Sequence, residues 1–162
     1  MSLERALENK YGNKLRVRVC GILIKKAAVL MVKHNSIGEA GHMWIPPGGG
    51  VEYGVSTKDN LRREFKEEVG LDIEVFELLF VSEFLNSKFH AIEIFFRVER
   101  VGGELICGTD PEMRHESQII EEVRFVDFNE INTIDTKKKH YLFKHCNSVQ
   151  ELLNMSSFYY NN

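Results

Sequence analysis

The amino-acid sequence predicts an α+β fold in a single domain, with a mixed β-sheet sandwiched between helices. Three observations predict it. Short β-rich apolar runs lie on both sides of one well-capped helix, and a second amphipathic stretch closes the chain. The length of 162 residues, 43% of them hydrophobic, suits one core of ordinary size.

Taken in order, Leu15 to Ile24 alternates and then turns continuously apolar, as a strand entering a core does. Ala27 to Val32 repeats that character after Lys25-Lys26, which predicts a hairpin. Asn35 to Ala40 reads as a polar loop. Behind Trp44-Ile45, the run Pro46-Pro47-Gly48-Gly49-Gly50 excludes a helix. Ser56 to Val69 is the strongest helix. Ser56 caps its start, Asp59 stands as a shortened capping-box partner, and Gly70 supplies a left-handed residue at its end. Leu61, Phe65 and Val69 recur at i, i+4 and i+8 and form the buried stripe.

Ile73 to Phe84 and Ala91 to Val101 are strands parted by the turn Leu85 to Lys88. Gly102-Gly103 predicts a hairpin turn before a further run, Glu104 to Cys107, and residues 108–118 read as a loop around Pro111. Val123 to Phe128 is the expected last strand. Thr136 to Leu153 is the expected second helix, with Leu142, Phe143, Cys146, Val149, Leu152 and Leu153 on its apolar side. Asn154 to Asn162 reads as a loosely held tail.

Composition narrows the function. The formal net charge of −3 gives no electrostatic reason to bind nucleic acid or an anionic membrane, so a polyanionic substrate must be neutralised locally. No run of eighteen apolar residues predicts a membrane span, and the start lacks the layout of a secretory signal. Cys20, Cys107 and Cys146 form neither a disulfide framework nor a zinc pattern, and read as reduced thiols in a cytoplasmic protein.

The chemistry lies in Arg63-Glu64-Phe65-Lys66-Glu67-Glu68-Val69-Gly70-Leu71. At about 100° per residue, Glu64, Glu67 and Glu68 fall in one narrow sector of the helix. Like charges so placed repel by a few tenths of a kcal/mol per pair, roughly, and a divalent cation offsets that. All-oxygen donors favour Mg²⁺, Mn²⁺ or Ca²⁺ over zinc. An acidic helix face alone is more often solvated surface, and Arg63 with Glu67 is an ordinary i, i+4 pair. The Gly48–Gly50 turn changes that balance, because it lets the backbone approach a ligand and direct a carbonyl at a cation.

Viewed whole, residues 46–71 resemble the Nudix hydrolase signature: Gly, five residues, Glu, seven residues, Arg-Glu, an aliphatic residue, one residue, Glu-Glu, one residue, Gly and an aliphatic residue. Gly49, Arg63, Glu64, Glu67, Glu68, Gly70 and Leu71 match at that spacing. Two positions depart. Phe65 takes an aliphatic place, and Val55 stands where the first Glu belongs, with Glu52 the nearest carboxylate in sequence. Trp44 with the Pro-Gly-Gly run, and Glu122 to Val126, resemble the family's flanking segments.

The resemblance implies a Nudix-like α/β (α+β) fold and Mg²⁺-dependent hydrolysis, with Mn²⁺ as the other ion, of a nucleoside diphosphate linked to a further group. It implies a catalytic set of Arg63, Glu64, Glu67 and Glu68. The three glutamates and the Gly48 backbone carbonyl are the expected metal ligands, and Arg63 the group that orients them. Glu116, in a late loop, is the candidate further acid, with Glu121 and Glu122 close behind. The partner is a small nucleotide-type molecule, and a homodimer is compatible with this reading. Trp44 is expected in the core rather than stacked on a base. The proline that marks an ADP-ribose subgroup beyond the box is absent, so the sequence leaves the substrate open. Two other readings follow: a nucleotide sensor without turnover, which the Val55 departure favours, and isomerase-like chemistry on a cysteine, which a buried Cys20 disfavours.

Overall fold

The computed structural model describes residues 3–35, 37–38, 40–109 and 119–160. The strand β1 (Leu15–Lys25) is the axis of the sheet. A turn at Lys26, whose φ of 58° is left-handed, leads into β2 (Ala28–Asn35), and the two pair antiparallel only at their joined ends. β1 then pairs parallel with β6 (His90–Gly103) on one side and antiparallel with β4 (Gly48–Gly50) on the other. β5 (Leu71–Leu85) lies antiparallel to β6; β3 (His42–Ile45) and β7 (Ile120–Asp127) flank β2. Parallel and antiparallel ladders coexist, so the sheet is mixed, as expected.

Side chains alternate between its two faces, and each face is covered. On one, the helix α2 (Thr57–Val69) seats Leu61, Phe65 and Val69, all fully buried, against Val19, Leu23, Leu30, Val32, Val75 and Val98. On the other, Cys20, Ile22, Val29, Met31, Phe80 and Phe95 meet Ile131, Leu142, Phe143 and Leu152 from the C-terminal part. Burial on both faces explains why β1 and β2 read as continuous apolar runs. Trp44 is buried in this second cluster. The α2 termini are as the sequence predicts: the Ser56 side chain accepts from Asp59 N–H, and Gly70 adopts φ 74°. Phe65 at the usually aliphatic place is accommodated by Gly21, where a Cβ would lie 2.5 Å from the phenyl ring.

Four expectations are corrected. Glu104 to Cys107 is not a strand. Gly102 and Gly103 still belong to β6, and the following segment turns back to donate Ile106, Gly108 and Thr109 N–H groups to the Val69, Glu68 and Glu67 carbonyls. It thus satisfies the last turn of α2, whose carbonyls lack helical partners. Thr136 to Leu153 is not one helix. Asp135 and the His140 ring cap two 3₁₀ turns, Thr136–Lys138 and Tyr141–Lys144, and Ser148 starts α4 (Val149–Leu153). These local side-chain bonds compete with continuous helix, while extended Lys139 bridges to Trp44. The apolar positions are still buried as patterned, in a different conformation.

Val123 to Phe128 does not end the strands: Phe128 opens a helix, α3 (Phe128–Thr133), capped by Asp127. The tail is not loose over 154–160. Met155 is buried, and β8 (Phe158–Tyr160) adds a parallel strand beside β5, with Tyr159 edge-on to Phe80. A further helix, α1 (Leu3–Tyr11), precedes β1.

Candidate active site

The carboxylates of α2 gather where the helix passes beneath β4. Glu64 and Glu68 are 6% and 4% exposed, an unusual depth for side chains that are almost never buried unless paired. Glu64 lies against Gly49 so closely that a Cβ there would stand 2.4–2.6 Å from the carboxyl atoms. Glu68 Oε2 accepts the Gly48 N–H at 3.1 Å. The glycine run therefore does two things. Gly49 makes room for a carboxylate, and Gly48 both bonds one and threads where a Cβ would meet the Val19 carbonyl at 2.1 Å.

Arg63 ties the acids together. Its Nη2 donates to Glu64 at 2.9 Å and to Glu52 at 3.1 Å, and Nη1 donates to Glu67 at 2.8 Å. Such charge-assisted bonds fix carboxylate orientation. Asn60, fully buried, braces the same corner. Its Nδ2 donates to the Gly50 carbonyl, and its Oδ1 accepts from Glu52 N–H and Arg63 Nη2. Neither Asn60 nor His34 was singled out by sequence. The His34 ring is buried, 3.7 Å from Glu68, and held neutral because burial and then the Arg18 charge lower its pKa to about 3. The signal that marks His34 is alternation: it follows Leu30 and Val32 at period two along β2, which turns it to the face that α2 covers.

A second buried network adjoins through β1. Arg18 Nη1 donates to Glu93 at 2.8 Å, and the other Glu93 oxygen accepts from the Tyr141 hydroxyl and bonds the His140 ring. Because His140 Nδ1 accepts from Leu142 N–H, the ring proton faces Glu93. Arg18 is also within electrostatic reach of Glu64 and Glu68, so it links the two networks.

The donor set fits a hard divalent cation: three carboxylates on one helix face, two of them withdrawn from water. Among the described residues no three acidic, His or Cys side chains already converge as a cage. Glu116 lies outside the described residues. On β7, Glu121 pairs with Lys33 of β2 and Glu122 with Arg124 of its own strand. Cys20 is buried and its thiol is pushed up to about 12 by burial, which leaves no thiolate for isomerase-like chemistry.

Gly49 offers a test of this packing. Gly49→Ala is expected to displace the Glu64 carboxyl, the far end of a side chain, and so to cost catalysis and less stability than Gly48→Ala. Gly48→Ala strikes backbone instead and is expected to cost about 1–3 kcal/mol. Paired urea melts and activity assays distinguish them; equal destabilisation by both would refute the close approach of Glu64.

The sequence model of the NUDIX domain matches residues 14–145. A curated protein of Methanocaldococcus jannaschii, called ADP-ribose pyrophosphatase, is 34% identical over 117 residues, 71% of this chain; the chain spans 63% of that protein's length. A NUDIX hydrolase structure from Nitrosomonas europaea superposes with a TM-score of 0.69 at 18% identity, covering 85% of this chain and 88% of that one. An ADP-ribose pyrophosphatase structure from Streptococcus suis gives 0.58 at 18% identity, covering 89% and 98%. Both structures share the fold.

Proposed function

The chain belongs to the Nudix family, and from that membership we propose that it hydrolyses a phosphoanhydride bond in a nucleoside diphosphate linked to a further group, using Mg²⁺ or Mn²⁺. The observation that carries this reading is the pair of buried glutamates set against β4, Glu64 at Gly49 and Glu68 at Gly48, with Arg63 tying Glu64 to Glu67. Members of the family generally work with divalent metal ions. In this chain Glu64, Glu67 and Glu68, with the Gly48 carbonyl, would hold the ion. When bound it supplies neutralisation of phosphate oxygens and a lowered pKa for water. The protein's own task is to keep the acids aligned, through Arg63, and to accept the proton of the attacking water on a carboxylate.

The named relative makes ADP-ribose the first substrate to try, although the proline associated with that subgroup is absent at its offset beyond the box. The chain's −3 charge and its free cysteines support a cytoplasmic protein acting on a small nucleotide rather than on nucleic acid or a membrane. No described helix is long and apolar enough to cross a membrane.

The test is incubation with Mg²⁺ and ADP-ribose, nucleotide sugars, nucleoside triphosphates, NADH and dinucleoside polyphosphates, with products identified by mass spectrometry. Cleavage of at least one compound is expected, and EDTA is expected to abolish it. Binding without cleavage across the whole panel would overturn the hydrolase reading in favour of a nucleotide sensor.

A further inference from the structure

Val55 leaves the signature without its first carboxylate, and the position is solvent-facing, one residue ahead of the Ser56 cap. The corner that such a carboxylate would serve is nevertheless not short of one. Glu52 reaches Arg63 Nη2 at 3.1 Å, the same nitrogen that donates to Glu64. Its place is set by more than its own flexible side chain. The Glu52 N–H donates to Asn60 Oδ1 at 3.1 Å, Asn60 Nδ2 holds the Gly50 carbonyl at 2.9 Å, and the Glu52 carbonyl accepts from Val55 N–H at 3.2 Å. The turn 52–55 is thus closed at both ends, and a fully buried Asn60 fastens it to α2 one helical turn before Arg63 and Glu64.

From this geometry we infer that Glu52 is a positioning residue of the site: it substitutes for the missing carboxylate at position 55 by anchoring Arg63, and through Arg63 it orients Glu64 and Glu67. The inference rests on the hydrolase reading above. The physical reason is competition for one guanidinium. Among the described residues three carboxylates share the single positive charge of Arg63, so a share drawn to Glu52 is a share not held by Glu64 and Glu67. Without Glu52, the arginine pairs more tightly with those two and withholds their oxygens from a cation. Glu52 is half exposed, so its removal leaves no buried charge unpaired and the fold should not notice.

The experiment compares wild type with Glu52→Gln, Arg63→Lys and the double variant, reading Mn²⁺ affinity by electron paramagnetic resonance alongside turnover of whichever panel compound the wild type cleaves. Glu52→Gln is expected to weaken Mn²⁺ binding or kcat by about 10- to 100-fold, as loss of an outer partner of a metal ligand does. KM and the melting temperature are expected to stay close to wild type. The double variant is expected to lose no more than Arg63→Lys alone, because Glu52 acts only through Arg63. Wild-type behaviour of Glu52→Gln overturns the inference. So do additive losses, which would make Glu52 a direct ligand of ion or substrate. If the wild type binds Mn²⁺ but cleaves nothing, the hydrolase reading fails while the affinity series still decides the role of Glu52. If it binds no Mn²⁺ at all, both fall.

Discussion

Glu67→Gln is expected to lower turnover by about 10²- to 10⁴-fold, the range for removing a positioned acid–base group, while the melting temperature stays nearly unchanged. Glu67 is the outermost of the three acids, with its side chain 30% exposed and bonded to an Arg63 of equal exposure. A partly exposed pair of this kind is worth about 0–1 kcal/mol to the fold. Gln keeps the size and one oxygen, but removes the charge that a cation or a departing proton needs. Glu64 and Glu68 would be poorer choices, because both are buried and Glu68 also accepts the Gly48 N–H, so stability and chemistry would change together. Calorimetry beside product analysis reads both quantities. Severe unfolding of Glu67→Gln would mean that these acids merely hold the helix.

The largest stability effect is expected at Glu93. Glu93→Ala strands Arg18 and removes the acceptor of His140 and Tyr141 in a region where Glu93 is 2% exposed. Breaking a buried ion pair from one side costs about 3–5 kcal/mol. The same network sets a pH dependence. Burial alone would raise the Glu93 pKa, but His140, Arg18 and Tyr141 outweigh it and hold the value at about 2, below the ordinary 4.5. A depressed carboxylate stabilises the fold above its ordinary pKa, and that contribution is lost as pH falls from about 4.5 towards 2. Urea melts across this window should show wild-type stability falling and Glu93→Ala changing less. Parallel curves would show that Glu93 carries no such linkage.

The elements that the sequence made legible are those whose signals are local. The helix α2 was readable to its caps, since Ser56, Asp59 and Gly70 act on backbone within a few residues. The strands β1, β2, β5 and β6 were readable because covered faces demand apolar runs. The second helix was misjudged because Asp135, His140 and Ser148 divert the backbone of a segment whose apolar spacing alone looks helical. The tail was misjudged because Phe158 to Tyr160 is a strand only by virtue of the β5 edge beside it.

For the site, the sequence by itself determined which carboxylates share a face, because helical spacing fixes Glu64, Glu67 and Glu68 to one sector. It also determined that the Gly48 to Gly50 backbone can approach a ligand closely, while the room that Gly49 leaves for the Glu64 carboxyl emerged from packing. Only the tertiary structure decided which residues complete the corner. Glu52 meets Arg63 because a closed turn folds back on the helix, and His34 reaches Glu68 because α2 packs across the face of β2 to which Leu30, Val32 and His34 all point. Arg18 and Glu93 meet because β1 and β6 lie in parallel register, 75 residues apart in sequence. Each of these is a pairing between distant segments, and residue spacing along one chain carries no record of which segments will pack together.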